Sequence, residues 1–181
     1  GEVMDPSLVA DTVRDLLAQA QIKTRDVAVA VGGRDVIIKK ILMDRMRDVE
    51  AREVMPWEAD QHVPFDKENV ELDFQILDPD GDGLQMQVLL VAAKRELVES
   101  KMVLLAEIGL EASVIDVEAF ALHNAFERSY PDAMRGVVAL ANVGHETTTI
   151  NLLEDGVPVL TRDLPVGVCR LREDLQRERG L

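Results

Sequence analysis

Three residues between two apolar segments have the types and the spacing of a phosphate-binding turn. Asn142, Gly144 and Thr147 follow the pattern Asn-x-Gly-x-x-Thr, and strand-like sequence lies on both sides of them. A glycine at such a turn lets backbone N–H groups approach an anion closely, and the threonine hydroxyl adds one more donor. The same pattern also describes an ordinary glycine-containing hairpin, so both interpretations stay open.

An acidic loop gives a second candidate site, this time for a cation. Asp78, Asp80 and Asp82, followed by Gly83, resemble the beginning of a calcium loop of the EF-hand type. The twelfth position of such a loop is a bidentate Glu, but here it is Leu89, inside a predicted strand. We favour a plain polar hairpin loop, because Asp and Gly also satisfy turn geometry. The three histidines lack a second ligand at helical spacing, so we expect no metal site.

The charge balance narrows the classes of partner. The chain has 181 residues, 34 of them acidic and 20 basic, and its formal net charge is −14. Such a chain is repelled by phosphate backbones and by anionic lipid, so we expect no nucleic-acid binding and no electrostatic docking to a membrane. One cysteine, Cys169, excludes an internal disulfide and a Cys-based zinc site. Neither an apolar run of ~20 residues nor a signal-peptide pattern is found, so we expect a soluble α/β protein.

Hydrophobic patterning predicts the elements that must position these residues. Alternation of apolar and polar residues predicts an antiparallel hairpin over 70–76 and 84–93, with a second strand that is apolar on both faces from residue 88. Pro56 is expected to kink or split the helix that contains it. Helices are predicted near 6–20, 48–63, 96–108, 119–128 and after Gly167, and further strands at 27–31, 36–43, 114–117, 136–141, 147–153 and 157–164. Asp5 is predicted to cap the first helix, Gly109 to end the third, and Asp155-Gly156 to form a hairpin turn.

A linked set of motifs resembles the type IV pilus assembly protein PilM family. The segments WEADQHVPF at 57–65 and VELDF at 70–74 are similar to a pattern that marks the inserted subdomain of that family, called 1C. The turn at 142–147 stands where the family has its second phosphate-binding hairpin. Further similar segments lie, in the same order, at 27–31, 91–94 and 114–122. The resemblance extends over nearly the whole chain.

This resemblance implies a fragment of an actin-like (ribonuclease H-like) fold, related to that of the cell-division protein FtsA, with an inserted α+β subdomain. It assigns 1–33 and 110–135 to a partial first subdomain (1A), 34–109 to subdomain 1C, and 136–181 to the start of the second half (2A). The first phosphate hairpin of the family would precede residue 1, and its adenosine-binding glycines would follow residue 181. We therefore expect an incomplete nucleotide site and no enzyme activity from this chain alone.

The resemblance also implies cofactors, which are ATP and magnesium in the full-length parent. It assigns Asn142, Gly144 and Thr147 to the nucleotide phosphates. The family usually has Asp where Asn142 stands, and the lost charge should weaken divalent binding. Glu118 stands where actin-like ATPases place a residue that orients the attacking water. The alternative for Glu118 is a helix N-terminal Glu that the helix dipole favours.

Finally, the resemblance implies a cytoplasmic adaptor at the inner face of the bacterial inner membrane. It would hold the N-terminal tail of a PilN-like membrane protein, with other cytoplasmic pilus components as further candidate partners. Trp57, Phe65 and Phe74 either line pockets for that tail or form the core of the subdomain. The alternative functions are an actin-like ATPase that regulates pilus assembly and an FtsA-like self-assembling protein. Uncovered sheet edges also predict homo-oligomers of the fragment.

Overall fold

The computed structural model describes residues 3–180, in which helices alternate with three small sheets. The helices are α1 (Pro6–Gln19), α2 (Asp48–His62), α3 (Arg95–Ile108), α4 (Glu118–Ser129) and α5 (Val168–Arg179). The strands are β1 (Asp26–Val31), β2 (Val36–Asp44), β3 (Val70–Ile76), β4 (Gln85–Lys94), β5 (Glu111–Val117), β6 (Val137–Val143), β7 (Thr148–Glu154) and β8 (Val157–Leu164). The predicted order of helices and strands is confirmed.

The first sheet is a parallel pair, β1 with β5, packed against α1 and α3. Its core contains Ala10 from α1 and Leu105 and Ile108 from α3. The predicted caps are present: the Asp5 carboxylate accepts from the Leu8 N–H at 3.0 Å at the start of α1. Gly109 ends α3 with φ +87°, a conformation that favours glycine.

The inserted sheet has the order β2-β4-β3, and all its neighbours are antiparallel. Helix α2 covers one face and buries Ala51, Met55 and Ala59 against the sheet. It runs without a break through Pro56, so of the two predicted outcomes the split is wrong, and the kink stays a prediction. Proline removes one intrahelical hydrogen bond, but the buried residues on either side of it hold both halves of the helix against the sheet.

Helix α3 packs with α1 and not with the core of the inserted sheet. Leu105 and Ile108 belong to the cluster that contains Ala10, whereas the cluster beneath α2 has no member from α3. The division into subdomains stays a prediction.

Besides the first sheet and the inserted sheet, the strands form an antiparallel meander with the order β6-β7-β8, which is called the second sheet below. The predicted turn at Asp155 and Gly156 joins β7 to β8, and both residues have positive φ (+48° and +81°), as tight hairpin turns require. The Asp155 carboxylate also accepts from the Gly136 N–H at 2.7 Å. Under this sheet lie Met134, Leu140 and Leu153, with Phe126 and Val138 packed against them.

Several strand edges pair with no neighbour within residues 3–180, among them that of β6, where Val137 and Val143 are exposed. Homo-oligomer formation through such edges stays a prediction. Over the same residues, none of the helices combines the length and the apolar character that crossing a membrane demands.

Candidate functional site

A groove of about 560 Å³ lies where the three sheets meet. It is lined by residues 36–39 of β2, by Gly32 and Gly33 after β1, by the first residues of α4, and by 160–163 of β8. Over residues 3–180, β2 and β8 each pair with only one strand of their own sheets. Because contiguous residues of both strands line it, the groove is bordered by two strand edges that pair with no further strand within residues 3–180, although β2 and β8 also contact each other directly.

The rim of the groove carries cations in a strongly acidic chain. Arg34, Lys39 and Arg162 line it, and none of the three forms an ion pair within the described residues. Two carboxylates, those of Glu118 and Asp163, line it as well. The groove therefore offers charges of both signs to an extended ligand.

Glu118 is the first residue of α4 and is exposed in the groove. Its carboxylate lies over Gly32: a Cβ built at residue 32 would stand 2.6 Å from Glu118 Oε2. Because Gly32 has no side chain, the Glu118 carboxylate can occupy the space above this strand end. The position fits a water-orienting group and equally fits a carboxylate at a helix N-terminus, so the catalytic role stays a prediction.

The inner face of the second sheet carries a row of paired polar side chains. Thr149 donates its hydroxyl to Asp163 Oδ1 at 2.6 Å. Asn151, only 1% exposed, accepts from the Thr161 hydroxyl at 3.0 Å and donates to the carbonyl oxygen of Ala119 at 3.4 Å. This row connects β7 and β8 to the first turn of α4, next to the groove.

Asn142, at the end of β6, belongs to the same face. It lies directly opposite Thr149 in the β6–β7 register, and opposite residues of an antiparallel pair point to the same side. The carboxylate in this row of side chains belongs to Asp163, two strands away from Asn142. Asp163 already accepts a hydrogen bond from the Thr149 hydroxyl. Asn142 itself offers an amide but no charge.

The predicted phosphate turn closes on itself through one hydrogen bond, from the Gly144 N–H to the Thr147 carbonyl at 3.0 Å. A Cβ at Gly144 would stand 2.8 Å from that carbonyl oxygen, so the turn requires glycine. The N–H groups of His145, Glu146 and Thr147 donate to no group of residues 3–180. Three backbone donors are thus free to meet an anion.

The turn also holds the N-terminus of α5, a contact that the sequence analysis missed. The carbonyl of Gly144 accepts from the Val168 N–H at 3.0 Å, and that of His145 accepts from the Cys169 N–H at 2.9 Å. Gly167 is buried against both carbonyls, with no room for a side chain. The glycine just before the predicted helix was the available signal.

The three aromatic candidates for partner binding do not line the groove. Phe65 and Phe74 are half-buried and pack against the core of the inserted sheet, whereas Trp57 is 70% exposed. Their partner-binding role stays a prediction. Each ring lies under a cation, at distances from the ring centroid of 3.9 Å for Lys67 on Trp57, 5.4 Å for Lys94 on Phe65 and 5.2 Å for Arg52 on Phe74.

A guanidinium organises the acidic loop that resembles a calcium site. Arg45 donates to the carbonyls of Asp78, Gly83 and Gln85 at 2.8–2.9 Å and to the Asp78 carboxylate at 2.7 Å. The N–H of Gln87, and then Arg45, hold the pKa of Asp78 below its usual range. No group of three or more His, Cys, Asp or Glu side chains is arranged for a metal in the described part of the chain.

Comparison with known proteins gives a family match over the whole chain. The model of the family described as type IV pilus assembly protein PilM matches residues 1–181. A solved structure described as the PilM–PilN type IV pilus biogenesis complex is 30% identical, with a TM-score of 0.86 over 100% of this chain and 55% of that one. The chain thus spans about half the length of that relative.

Two more distant structures share the fold alone. One is the cytoplasmic domain of EpsL, an inner-membrane component of the type II secretion system of Vibrio cholerae (13% identity, TM-score 0.58, 86% of this chain and 56% of that one). The other is the ethanolamine utilization protein EutJ from Carboxydothermus hydrogenoformans (18%, 0.50, 98% and 43%).

These matches confirm the predicted fold class, an actin-like fragment. The family match extends over the whole sequence and agrees with the family resemblance drawn from its motifs. The chain therefore belongs to the type IV pilus assembly protein PilM family.

Proposed function

We propose that this chain is part of a pilus-assembly adaptor and that its groove holds the cytoplasmic tail of a PilN-like inner-membrane protein. The observation that carries the proposal is the pair of open strand edges, β2 and β8, that borders one groove. The similarity to a chain solved in a PilM–PilN complex supports the choice of partner. The adaptor would reach the cytoplasmic face of the membrane through that partner.

An extended tail would bind by strand addition. Backbone groups on an open edge give affinity, and alternate side chains of the tail meet the groove walls. Ile38 and Leu160 provide apolar contact there, and Leu160 is 49% exposed without a ligand. Covering a leucine side chain of this kind contributes about 1–2 kcal/mol, so its loss would weaken binding roughly five- to thirtyfold.

The test is fluorescence anisotropy with a labelled peptide from the N-terminal tail of the PilN-like protein. Leu160→Asp should weaken binding about tenfold or more, because it places a charge where an apolar contact forms. Leu164→Asp is the matched control, since Leu164 is on the same strand but does not line the groove. Equal effects of the two variants would mean that the tail binds elsewhere. Absence of binding to the unsubstituted chain would refute the adaptor role.

We further propose that the longer parent binds ATP with the 142–147 turn on a phosphate group. The three N–H groups without a partner in residues 3–180 and the Thr147 hydroxyl are donors of the kind that phosphate oxygens accept. The fit to magnesium is poorer, because Asn142 carries no charge. This chain alone should bind ATP–magnesium more weakly than micromolar, and micromolar binding in calorimetry would overturn that expectation.

Hydrolysis is the second candidate function of the parent, and it rests on Glu118, whose carboxylate is exposed in the groove. A carboxylate there could orient a water. Phosphate release by the full-length protein, compared with its Glu118→Gln variant, tests this. Equal release by both would remove Glu118 from the mechanism.

A further inference from the structure

Trp57 is the only tryptophan of the chain, and it lies on the solvent side of α2. The residues of α2 that face the sheet are Ala51, Met55 and Ala59, all buried. Trp57 is 70% exposed and therefore adds little to this core. Large exposed aromatic side chains are typical of protein interfaces, because they supply much contact area at a small cost in conformational entropy.

The indole ring already holds a cation. The Lys67 ammonium lies 3.9 Å from the ring centroid and also pairs with the carboxylate of Asp60, one turn further along the helix. The ring face and this carboxylate together form a two-sided cation site. Lys67 comes from the short turn that follows α2, so the chain occupies this site with its own side chain.

We propose that Trp57 and Asp60 form a docking site for a Lys or Arg side chain on a basic segment of a partner protein, and that Lys67 occupies it in the free protein. Charge complementarity selects the occupant: Glu53, one turn before Trp57, is exposed, and the chain as a whole carries −14. Arginine suits the site best, because a guanidinium can stack on the indole while it binds the carboxylate.

This surface is separate from the groove, since neither Trp57 nor Asp60 lines it. The inference therefore goes beyond the proposed function, and either can fail without the other.

A built-in control exists, because Lys94 lies over Phe65 and pairs with Asp35 in the same manner. Phe65 is packed against the core of the inserted sheet, so its ring offers no exposed face comparable to that of Trp57.

The experiment uses a short oligo-arginine peptide as the probe and the emission of Trp57 as the signal. With one tryptophan in the chain, any saturable change in emission reports on the surroundings of Trp57. Lys67→Met should tighten binding about two- to fivefold, because it removes the internal competitor. Lys94→Met changes the net charge equally, so it corrects for non-specific attraction, and it should tighten binding much less.

Three outcomes would overturn the inference: emission that does not respond to the peptide, equal affinities of Lys67→Met and Lys94→Met, or an equal response to oligo-glutamate. Asp60→Asn should weaken binding and Trp57→Leu should remove most of it, both measured by calorimetry on variants that retain the parent circular dichroism spectrum. Unchanged affinity in these folded variants would also contradict the proposal.

Discussion

Replacing Gly167 with alanine should release α5 from the phosphate turn. A Cβ at this position would stand 2.6 Å from the carbonyl oxygen of Gly144 and closer still to that of His145. These are backbone atoms, so no side-chain rotation can relieve the contact, and the helix start must move. The movement breaks the hydrogen bonds that Val168 and Cys169 donate to the two carbonyls. Two such bonds contribute about 1–3 kcal/mol in total.

Amide hydrogen exchange of Val168 and Cys169 measures this loss directly. The protection of both amides should fall roughly five- to 150-fold, which corresponds to that free energy. Gly83→Ala is the control, because a Cβ there meets only ordinary contacts, the nearest at 3.6 Å. If Gly167→Ala leaves the two amides as protected as Gly83→Ala does, the turn does not hold α5 and the reasoning is refuted.

Further substitutions test the loop, the core and the hairpin. Because the pKa of Asp78 is depressed in the folded protein, its contribution to stability is present above about pH 4 and is lost as the pH falls further. Asp78→Asn should therefore flatten the pH dependence of urea unfolding in that range. An unchanged pH profile would contradict this. Leu153→Ala should cost about 2–5 kcal/mol in urea unfolding, because this leucine is fully buried; a cost below 1 kcal/mol would contradict that packing. Gly156→Ala should cost about 1–2 kcal/mol in thermal unfolding, because φ is +81° there, whereas alanine at Gly83 should cost much less.

Local signals in the sequence were enough to predict most of the helices and strands. Alternation defined β3 and β4, and the Asp155–Gly156 pair defined a hairpin. Asp5 and Gly109 marked helix ends through their caps. In each case the physical cause lies within a few residues along the chain, so a sequence pattern can carry it.

The contacts that were missed are long-range. Nothing near Arg45 in sequence shows that its guanidinium will organise a loop more than thirty positions away. The groove depends on how three sheets are placed, which no local pattern encodes. Trp57 could be read as core because α2 is only weakly amphipathic in sequence; its exposure depends on which side of the helix meets the sheet.

The buried amide of Asn151 has a consequence for motion. It joins β7 to the first turn of α4 and to β8, and separating a buried amide from its partners is costly. We therefore expect this contact to act as a pivot if the second sheet moves relative to the first. Rotation of the second sheet about Asn151 would change the distance between β8 and β2 across the groove, while the Asn151–Ala119 distance stays constant. Distances between spin labels placed across the groove and across the pivot would reveal such a rotation, and equal changes at both places would exclude it.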